Sequence, residues 1–279
     1  MAEASAKFEG LLQRVRTALV LLPFVIIPVI IGGWLFTLLL AIAGYLMARE
    51  WVNLLRGPSR DGHVLGGLTV LALIYGGVSG AAEALALMIV LAVGGLSLAW
   101  WRGARATLLS GGLIYVAMPL LTAQLFRADP MGALILGYIL LSVWAVDIFA
   151  MFSGKIIGGP KLAPVISPNK TWAGLIGAMV GATGAAVLSF LVIVGFQLGT
   201  AEFAAMLIIA PLLAVCAQMA DLFESAIKRK YNIKDSGAII PGHGGLLDRV
   251  DGLVGVLLIL LIVVWLRGGD VAQALWIWS

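Results

Sequence analysis

Long apolar segments dominate this chain and limit the folds that it can adopt. Nine are apparent, near residues 17–32, 34–55, 64–78, 84–101, 107–126, 131–153, 172–198, 203–222 and 252–267. Hydrophobic residues make up 62% of the chain and charged residues 11%, whereas soluble domains carry about 25% charged residues. Because the chain cannot bury that much apolar surface within itself, its solvent is a lipid bilayer. The sequence therefore predicts an all-α, polytopic integral membrane protein with about nine transmembrane helices.

The charges in the loops indicate how these helices are oriented. If the N-terminus is cytoplasmic, nearly all lysines and arginines between the apolar segments fall on the cytoplasmic side, as the positive-inside rule expects. The net charge of +4 then reflects membrane orientation, and we expect no nucleic-acid partner. The sequence shows no fixed-period repeat and no soluble domain, so we expect residues 1–279 to form a single membrane domain.

Charged residues are concentrated in residues 221–251, which we call the polar island. This stretch holds ten of the 32 Asp, Glu, Lys and Arg residues. Its first part continues the helical pattern, and Asp221, Glu224, Ser225 and Lys228 share one face of that helix. Two carboxylates, a hydroxyl and an ammonium on one stripe suit a cation with a phosphate beside it. The alternative for the basic residues is that their long side chains extend from the helix end to the membrane surface and have no catalytic role.

The second part of the polar island is a glycine-rich turn followed by a helix start. Only one other histidine, His63, exists in the chain, so His243 in the turn is better suited to contacting phosphate or base than to a two-histidine metal site. Asp248 and Asp251 are three residues apart and share a face of the last helix. With Asp221 they supply oxygen ligands from two helices, which favours a hard cation, Mg²⁺ above all when phosphates are present. The alternative is that they are favourable charges at a helix N-terminus.

Asp147 and the loop after it form a second polar region. A carboxylate within an apolar helix costs a few kcal/mol, so Asp147 is expected to face a polar cavity or a basic partner. The loop at residues 153–174 holds three lysines, no acid and several glycines and prolines. Such a loop suits phosphate groups, and Lys170-Thr171 precedes a helix start, where anions are favoured. The alternative is a basic loop attracted to anionic lipid headgroups.

Two motifs in these regions resemble those of the phosphatidate cytidylyltransferase (CDP-diacylglycerol synthase) family. The first comprises Ser225-Ala-Ile-Lys228-Arg229, Lys234-Asp235-x-Gly237, Pro241-Gly242-His243-Gly244-Gly245 and Asp248-Arg249-x-Asp251. The second is Ser167-Pro168-Asn169-Lys170-Thr171-Trp172. One position departs from the family pattern, because Ala173 stands where members commonly have an acidic residue. The resemblance covers roughly residues 140–267, and the N-terminal half matches mainly in its hydrophobic character.

The resemblance implies transfer of a cytidylyl group from CTP to phosphatidate, giving CDP-diacylglycerol and pyrophosphate. It implies a bacterial inner (plasma) membrane enzyme whose active site faces the cytoplasm, uses Mg²⁺ with K⁺ as a further candidate ion, and forms a homodimer. Residues 1–130 would be scaffold helices and residues 131–267 would carry the catalytic helices and loops. The expected catalytic residues are Asp221, Lys228, Asp248, Asp251 and Asp147, with Asp221, Asp248 and Asp251 as metal ligands. The expected substrate-binding residues are Ser225, Arg229, Lys234, Asp235, His243, Gly244, Gly245, Arg249, Lys170 and Ser167.

A rival interpretation is a secondary transporter or channel in which Asp147 and the polar island form an ion path. Transporters often contain repeated halves and broken helices near the membrane midplane. In this sequence no repeat is apparent, and the charges collect at one predicted membrane face. Closer rivals are a lipid kinase and a cytidylyltransferase that acts on another lipid phosphate.

Overall fold

The structure, a computed structural model, describes residues 20–191, 199–237, 239 and 244–276. Its main elements are helices. They are α1 (Val20–Ile31), α2 (Gly33–Leu54), α3 (Ser59–Ser79), α4 (Ala81–Arg102), α5 (Ala104–Gly112), a π-helical turn (Leu113–Ala117), α6 (Met118–Ala128), α7 (Gly132–Ile156), α8 (Trp172–Ser189), α9 (Thr200–Lys230), α10 (Leu247–Arg267) and α11 (Val271–Trp276). The prediction of an all-α, polytopic membrane fold is confirmed, whereas the number of membrane spans and the orientation of the N-terminus stay predictions.

Seven helices in the described part of the chain are long and apolar enough to cross a membrane. One of them, Arg105–Ala128, runs through α5, the π-helical turn and α6. Two further apolar stretches are shorter, namely Val20–Ile31 in α1 and Ala81–Ser97 within α4. The third and ninth apolar segments looked short in the sequence, yet α3 and α10 contain 21 residues each. Both helices are longer than their apolar segments because their polar first turns, which carry Asp61 and Asp248, are also helical.

A two-stranded hairpin interrupts the helices between α7 and α8. Strands β1 (Lys161–Ala163) and β2 (Ser167–Thr171) pair antiparallel, with Lys161 opposite Thr171 and Ala163 opposite Ser167. The loop contains three prolines, which disfavour helix because proline lacks an N–H and restricts the residue before it. The strands hold Lys161 and Lys170 in defined positions, whereas Lys155 lies in the last turn of α7. The sequence had predicted only a loop here.

The residues fall into two compact units. The first comprises the chain as far as Ala117 together with Ile233–Arg249, and the second comprises Met118–Asn232 and the residues from Val250 onward. The polar island is thus divided between the units.

In the first unit, small residues bring α2 and α3 together. A Cβ on Gly62 would lie 3.2 Å from Cα of Arg49, so a larger side chain at this position would force the helices apart. At the start of α3, Arg105 donates hydrogen bonds to the buried carboxylate of Asp61, with Nη2 at 2.7 Å from Oδ1. This bidentate ion pair ties α5 to α3.

In the second unit, α7 and α8 pack closely through glycines. A Cβ on Gly181 would lie 2.7 Å from Cγ of Phe149, and a Cβ on Gly174 would lie 3.1 Å from the carbonyl oxygen of Ala150. Such contacts are typical of membrane helices, in which small residues allow the backbones to approach. On the other side of the unit, Gly252 of α10 lies against Ala217 of α9. These contacts hold α8 against α7 and α10 against α9.

Candidate active site

A cavity of about 520 Å³ lies in the second unit where α7, α9, the hairpin and the start of α8 meet. Its lining combines acidic, basic and amide side chains. The polar side chains of the lining are Asp147, Lys155, Lys161, Asn169, Lys170, Thr171, Gln218 and Asp221. Two carboxylates and three ammonium groups around one cavity provide contacts for both a cation and anionic phosphate oxygens.

The most direct polar contact in the cavity joins the hairpin to α9. Nζ of Lys170 lies 2.6 Å from Oδ2 of Asp221, and it also donates a hydrogen bond of 3.3 Å to the carbonyl oxygen of Gln218. The side chains of Lys170 and Asp221 are 15% and 33% exposed. The other carboxylate oxygen of Asp221 accepts a hydrogen bond of 3.2 Å from Ser225 Oγ, one helical turn later. The structure therefore brings Lys170, from the second polar region, to Asp221 and Ser225 of the polar island.

Two local features hold Lys170 at this position. Thr171 is the N-cap of α8, and its side chain accepts a hydrogen bond of 3.0 Å from the backbone N–H of Gly174. The predicted helix start after Thr171 is therefore confirmed. Nε of Arg229 in α9 donates a hydrogen bond of 3.3 Å to the carbonyl oxygen of Ile166, between the two strands. The helix cap thus fixes the end of the hairpin, and α9 fixes its turn. Ser167, another predicted site residue, is the first residue of β2.

Helix α9 continues to Lys230, so the predicted stripe of Asp221, Glu224, Ser225 and Lys228 lies on one continuous helix. Nζ of Lys228 lies 3.1 Å from Oε1 of Glu224, and these side chains are 12% and 0% exposed. A buried carboxylate is costly unless it is paired, so this ion pair accounts for the burial of both groups. The sequence placed Glu224 on this face but did not assign it as the partner of Lys228.

Helix α10 brings one further carboxylate, Asp251, toward Asp147 of α7 and the acids of α9. Asp251 interacts electrostatically with Asp221, Glu224 and Asp147. Its Oδ1 accepts a hydrogen bond of 2.8 Å from the backbone N–H of Gly252. Several carboxylates within electrostatic range of one another favour positive charge between them. Within the described ranges, however, no three His, Cys, Asp or Glu side chains are already arranged to hold a metal ion together.

The first unit contains the other part of the polar island. Both oxygens of Asp248 accept hydrogen bonds from the backbone N–H of Ser236, at 3.1 and 3.0 Å. Oδ2 also accepts one of 3.0 Å from the N–H of Gly245. Asp248 therefore closes the connection between residues 236 and 245, in addition to lying in the first turn of α10. Gly244 adopts a φ of +87°, which side chains rarely tolerate and which explains the glycine of the turn.

The remaining sequence-selected residues of the first unit differ in their exposure, and one of them lies outside the described residues. Lys234, Asp235 and Arg249 are exposed, whereas Gly245 is buried. His243 and the two residues before it lie outside the described residues.

Sequence reasoning missed the role of Glu50, at the end of α2. Its side chain is buried, and its carboxylate accepts hydrogen bonds from the backbone N–H groups of Leu246 and Leu247 at 3.0 and 2.8 Å. The available signal was an acidic residue at the end of an otherwise apolar segment. This signal could not specify that the partner is the start of α10.

Comparisons with known proteins agree with the chemistry of these residues. The sequence profile described as the cytidylyltransferase family matches residues 12–267. The chain is 44% identical over 174 residues to a phosphatidate cytidylyltransferase of Rickettsia bellii, a match that covers 60% of this chain and 74% of that protein. It is 43% identical over 156 residues to a phosphatidate cytidylyltransferase of Brucella melitensis, covering 55% of each protein. The match thus spans little more than half of the Brucella protein.

The profile match extends over nearly the whole chain and includes both motifs and every residue that lines the cavity. The chain belongs to the cytidylyltransferase family.

Proposed function

We propose that this protein transfers the cytidylyl group of CTP to phosphatidate, releasing CDP-diacylglycerol and pyrophosphate. The observation that carries the proposal is the cavity in which the Lys170–Asp221 ion pair is surrounded by further lysines and by Asp147. This cavity lies among long apolar helices, where a lipid phosphate is available. The names of the relatives support CTP and phosphatidate as the two substrates.

In the proposed reaction, a phosphate oxygen of phosphatidate forms a bond to the α-phosphorus of CTP, and the bond from that phosphorus to pyrophosphate breaks. A phosphate monoester is largely ionised near pH 7, since its second pKa is about 6. The nucleophile therefore needs little help from a general base. The barrier consists mainly of bringing two anions together in line and stabilising the leaving pyrophosphate.

The lysines and arginines of the chain perform this positioning. Lys170 lies in the cavity beside Asp221, and we assign it to a phosphate group. Lys228 and Arg229 follow on α9, and Lys234 and Arg249 lie on exposed parts of the polar island. We assign them to the phosphates of the two substrates. Ser225, Asp235, Ser167 and the turn with His243, Gly244 and Gly245 are proposed to line the nucleotide.

The carboxylates of the second unit fit a hard cation in their chemistry. All are oxygen donors, and Mg²⁺ bound to phosphates commonly uses only one or two protein carboxylates. We propose Asp221 and Asp251 as ligands, with Asp147 as a further ligand or as a partner of basic residues. Asp248 is retained as a candidate ligand, although its oxygens accept backbone hydrogen bonds in this structure. Bound Mg²⁺ would neutralise charge on the phosphate oxygens. A K⁺ ion beside it also remains part of the proposal.

We further propose that nine helices cross the membrane, with the N-terminus and the active site on the cytoplasmic side of a bacterial inner membrane. The positive-inside distribution of Lys and Arg supports this orientation. The two shorter apolar helices, Val20–Ile31 and Ala81–Ser97, would complete the set of nine. Residues 1–130 would act as scaffold and residues 131–267 would carry the chemistry. The homodimer expected from the resemblance stays a proposal, which the mass of the detergent-solubilised protein tests.

Purified protein incubated with CTP, phosphatidate and MgCl₂ tests the proposed activity. We expect CDP-diacylglycerol and pyrophosphate in equal amounts, both dependent on phosphatidate. A phosphorylated lipid without a CDP-lipid would indicate a kinase instead. Ion or solute flux in liposomes without CTP turnover would contradict the proposal and favour the transporter.

A further inference from the structure

Glu50 is a buried acid at the end of α2, and its carboxylate is surrounded by hydrogen-bond donors of the polar island. Its side chain is 2% exposed. Oε1 accepts a hydrogen bond of 3.0 Å from the N–H of Leu246, and Oε2 accepts one of 2.8 Å from the N–H of Leu247. Oε2 also accepts a hydrogen bond of 3.4 Å from Ser236 Oγ. One carboxylate thus binds both the start of α10 and a residue ten positions earlier in the chain.

The backbone on both sides of this connection approaches the Glu50 carboxylate through glycines. A Cβ on Gly245 would lie 3.0 Å from Oε1 of Glu50 and 2.7 Å from the backbone nitrogen of Gly237. A Cβ on Gly237 would overlap Oε1 of Glu50 and lie 2.9 Å from its Cδ. Because real Cβ atoms do not approach oxygen or nitrogen this closely, only glycine fits at these two positions without rearrangement. Gly237 and Gly245 therefore pack directly against the Glu50 carboxylate.

The carboxylate of Asp248 binds backbone N–H groups at both ends of the same connection. It accepts hydrogen bonds from the N–H groups of Ser236 and Gly245, whereas Glu50 binds the hydroxyl of Ser236 and the N–H groups that follow Gly245. Burying the charge of Glu50 carries a desolvation cost that its hydrogen bonds must offset. An apolar residue would fill this position without that cost. What the carboxylate adds is a defined position for the start of α10 and for the preceding turn.

We propose that Glu50 is a positioning residue for cytidylyl transfer, although it touches neither substrate. Its carboxylate binds Ser236, Leu246 and Leu247 together. It thereby fixes Lys234 and Asp235, just before Ser236, and Asp248, just after Leu247. This inference rests on the proposed function, because those residues are assigned there to phosphate, nucleotide and metal. No sequence motif marks Glu50, which is more than 180 residues away from the groups that it binds.

Glu50→Gln is the informative variant because it keeps the shape of the side chain. It removes the charge and turns one acceptor oxygen into a donor, so one of the N–H groups of Leu246 and Leu247 loses its partner. We expect kcat/KM for CTP to fall roughly 10- to 100-fold, the size of losing a hydrogen bond to a charged group. We expect the loss to include a rise in KM, since phosphate and nucleotide contacts would be misplaced.

Two controls separate positioning from general stability. Trp51→Phe removes the hydrogen bond of 3.1 Å from Nε1 to the carbonyl oxygen of Leu108, in the same unit but away from the connection. Glu83→Gln changes an exposed acid. At temperatures equally far below the thermal midpoint of each variant, both controls should keep the wild-type KM and kcat. If Glu50→Gln then behaves like Trp51→Phe, Glu50 acts only on stability and the inference is wrong.

Amide hydrogen exchange supplies a readout that does not depend on activity. In Glu50→Gln, we expect peptides that contain Leu246 and Leu247 to exchange faster than in the wild type, while peptides of α7 and α8 stay unchanged. Unchanged exchange at Leu246 and Leu247 overturns the inference even if activity falls. A wild-type protein that makes no CDP-diacylglycerol refutes the proposed function instead. Faster local exchange would then still support the anchoring of the connection by Glu50.

Discussion

Replacing Lys170 by methionine tests the cavity as the site of chemistry. The substitution keeps most of the apolar stem and removes the ammonium that lies 2.6 Å from Asp221 and 3.3 Å from the carbonyl oxygen of Gln218. The two ion-paired side chains are 15% and 33% exposed. The pair is therefore intermediate between exposed and fully buried pairs, and its loss should cost about 1–3 kcal/mol of unfolding free energy.

The expected effect on catalysis is larger than the effect on stability. If Lys170 stabilises charge on a phosphate in the transition state, removing it should lower kcat/KM by about 10²- to 10³-fold, equivalent to about 3–4 kcal/mol. Lys161→Met is the matched control because Lys161 lines the same cavity from an exposed strand position. We expect that control to lose less than about tenfold, as for an exposed charge.

Formation of CDP-diacylglycerol by purified protein in detergent measures both variants, and thermal melting reports how much protein is folded. Lys170→Arg preserves the charge and should restore part of the activity. Turnover of Lys170→Met within threefold of the wild type would refute the assignment of the cavity. So would equal losses in Lys170→Met and Lys161→Met, because general surface charge would then explain both.

Three further predictions concern the elements around the cavity. Thr171→Val removes the acceptor for the N–H of Gly174 and should cost about 1 kcal/mol of stability, visible as a lower thermal midpoint with only a modest fall in activity. Gly181→Leu should destabilise the protein far more, by about 3 kcal/mol or more, because even its Cβ would lie 2.7 Å from Cγ of Phe149. A melting curve like that of the wild type would contradict the close packing of α7 and α8. Chelation of divalent cations should abolish CTP turnover, and added Mg²⁺ should restore it, whereas activity that survives exhaustive chelation would exclude the proposed role of the carboxylates.

The membrane character of the fold and one face of the candidate site could be predicted from local patterns. Apolar segments of about 20 residues have few structural alternatives in a bilayer, because their backbone groups must be hydrogen-bonded within the segment. The i, i+3, i+4 and i+7 spacing in α9 likewise placed Asp221, Glu224, Ser225 and Lys228 on one face. Both predictions depend on helical geometry alone, and this geometry repeats over short distances in the chain.

The hairpin and the ends of the helices were less predictable. The prolines excluded a helix in residues 160–168, but they did not reveal that Lys161 and Thr171 would be paired across two strands. The sequence assigned Asp248 to metal binding or to a helix N-terminus, and the structure shows its oxygens closing a turn through Ser236 and Gly245. A short polar segment has several ways to satisfy its hydrogen bonds, and packing against distant residues selects one of them.

The sequence by itself determined the membrane character of this protein and the collection of its charges in two regions, whose residue types suit cations and phosphates. These properties follow from composition and from spacing within single helices. Only the tertiary structure decided that Lys170 meets Asp221 and that Glu50 binds the start of α10. These pairs are separated by about 50 and about 200 positions in the chain. A carboxylate can bind any donor that the fold brings within about 3 Å, so local sequence patterns do not identify its partner.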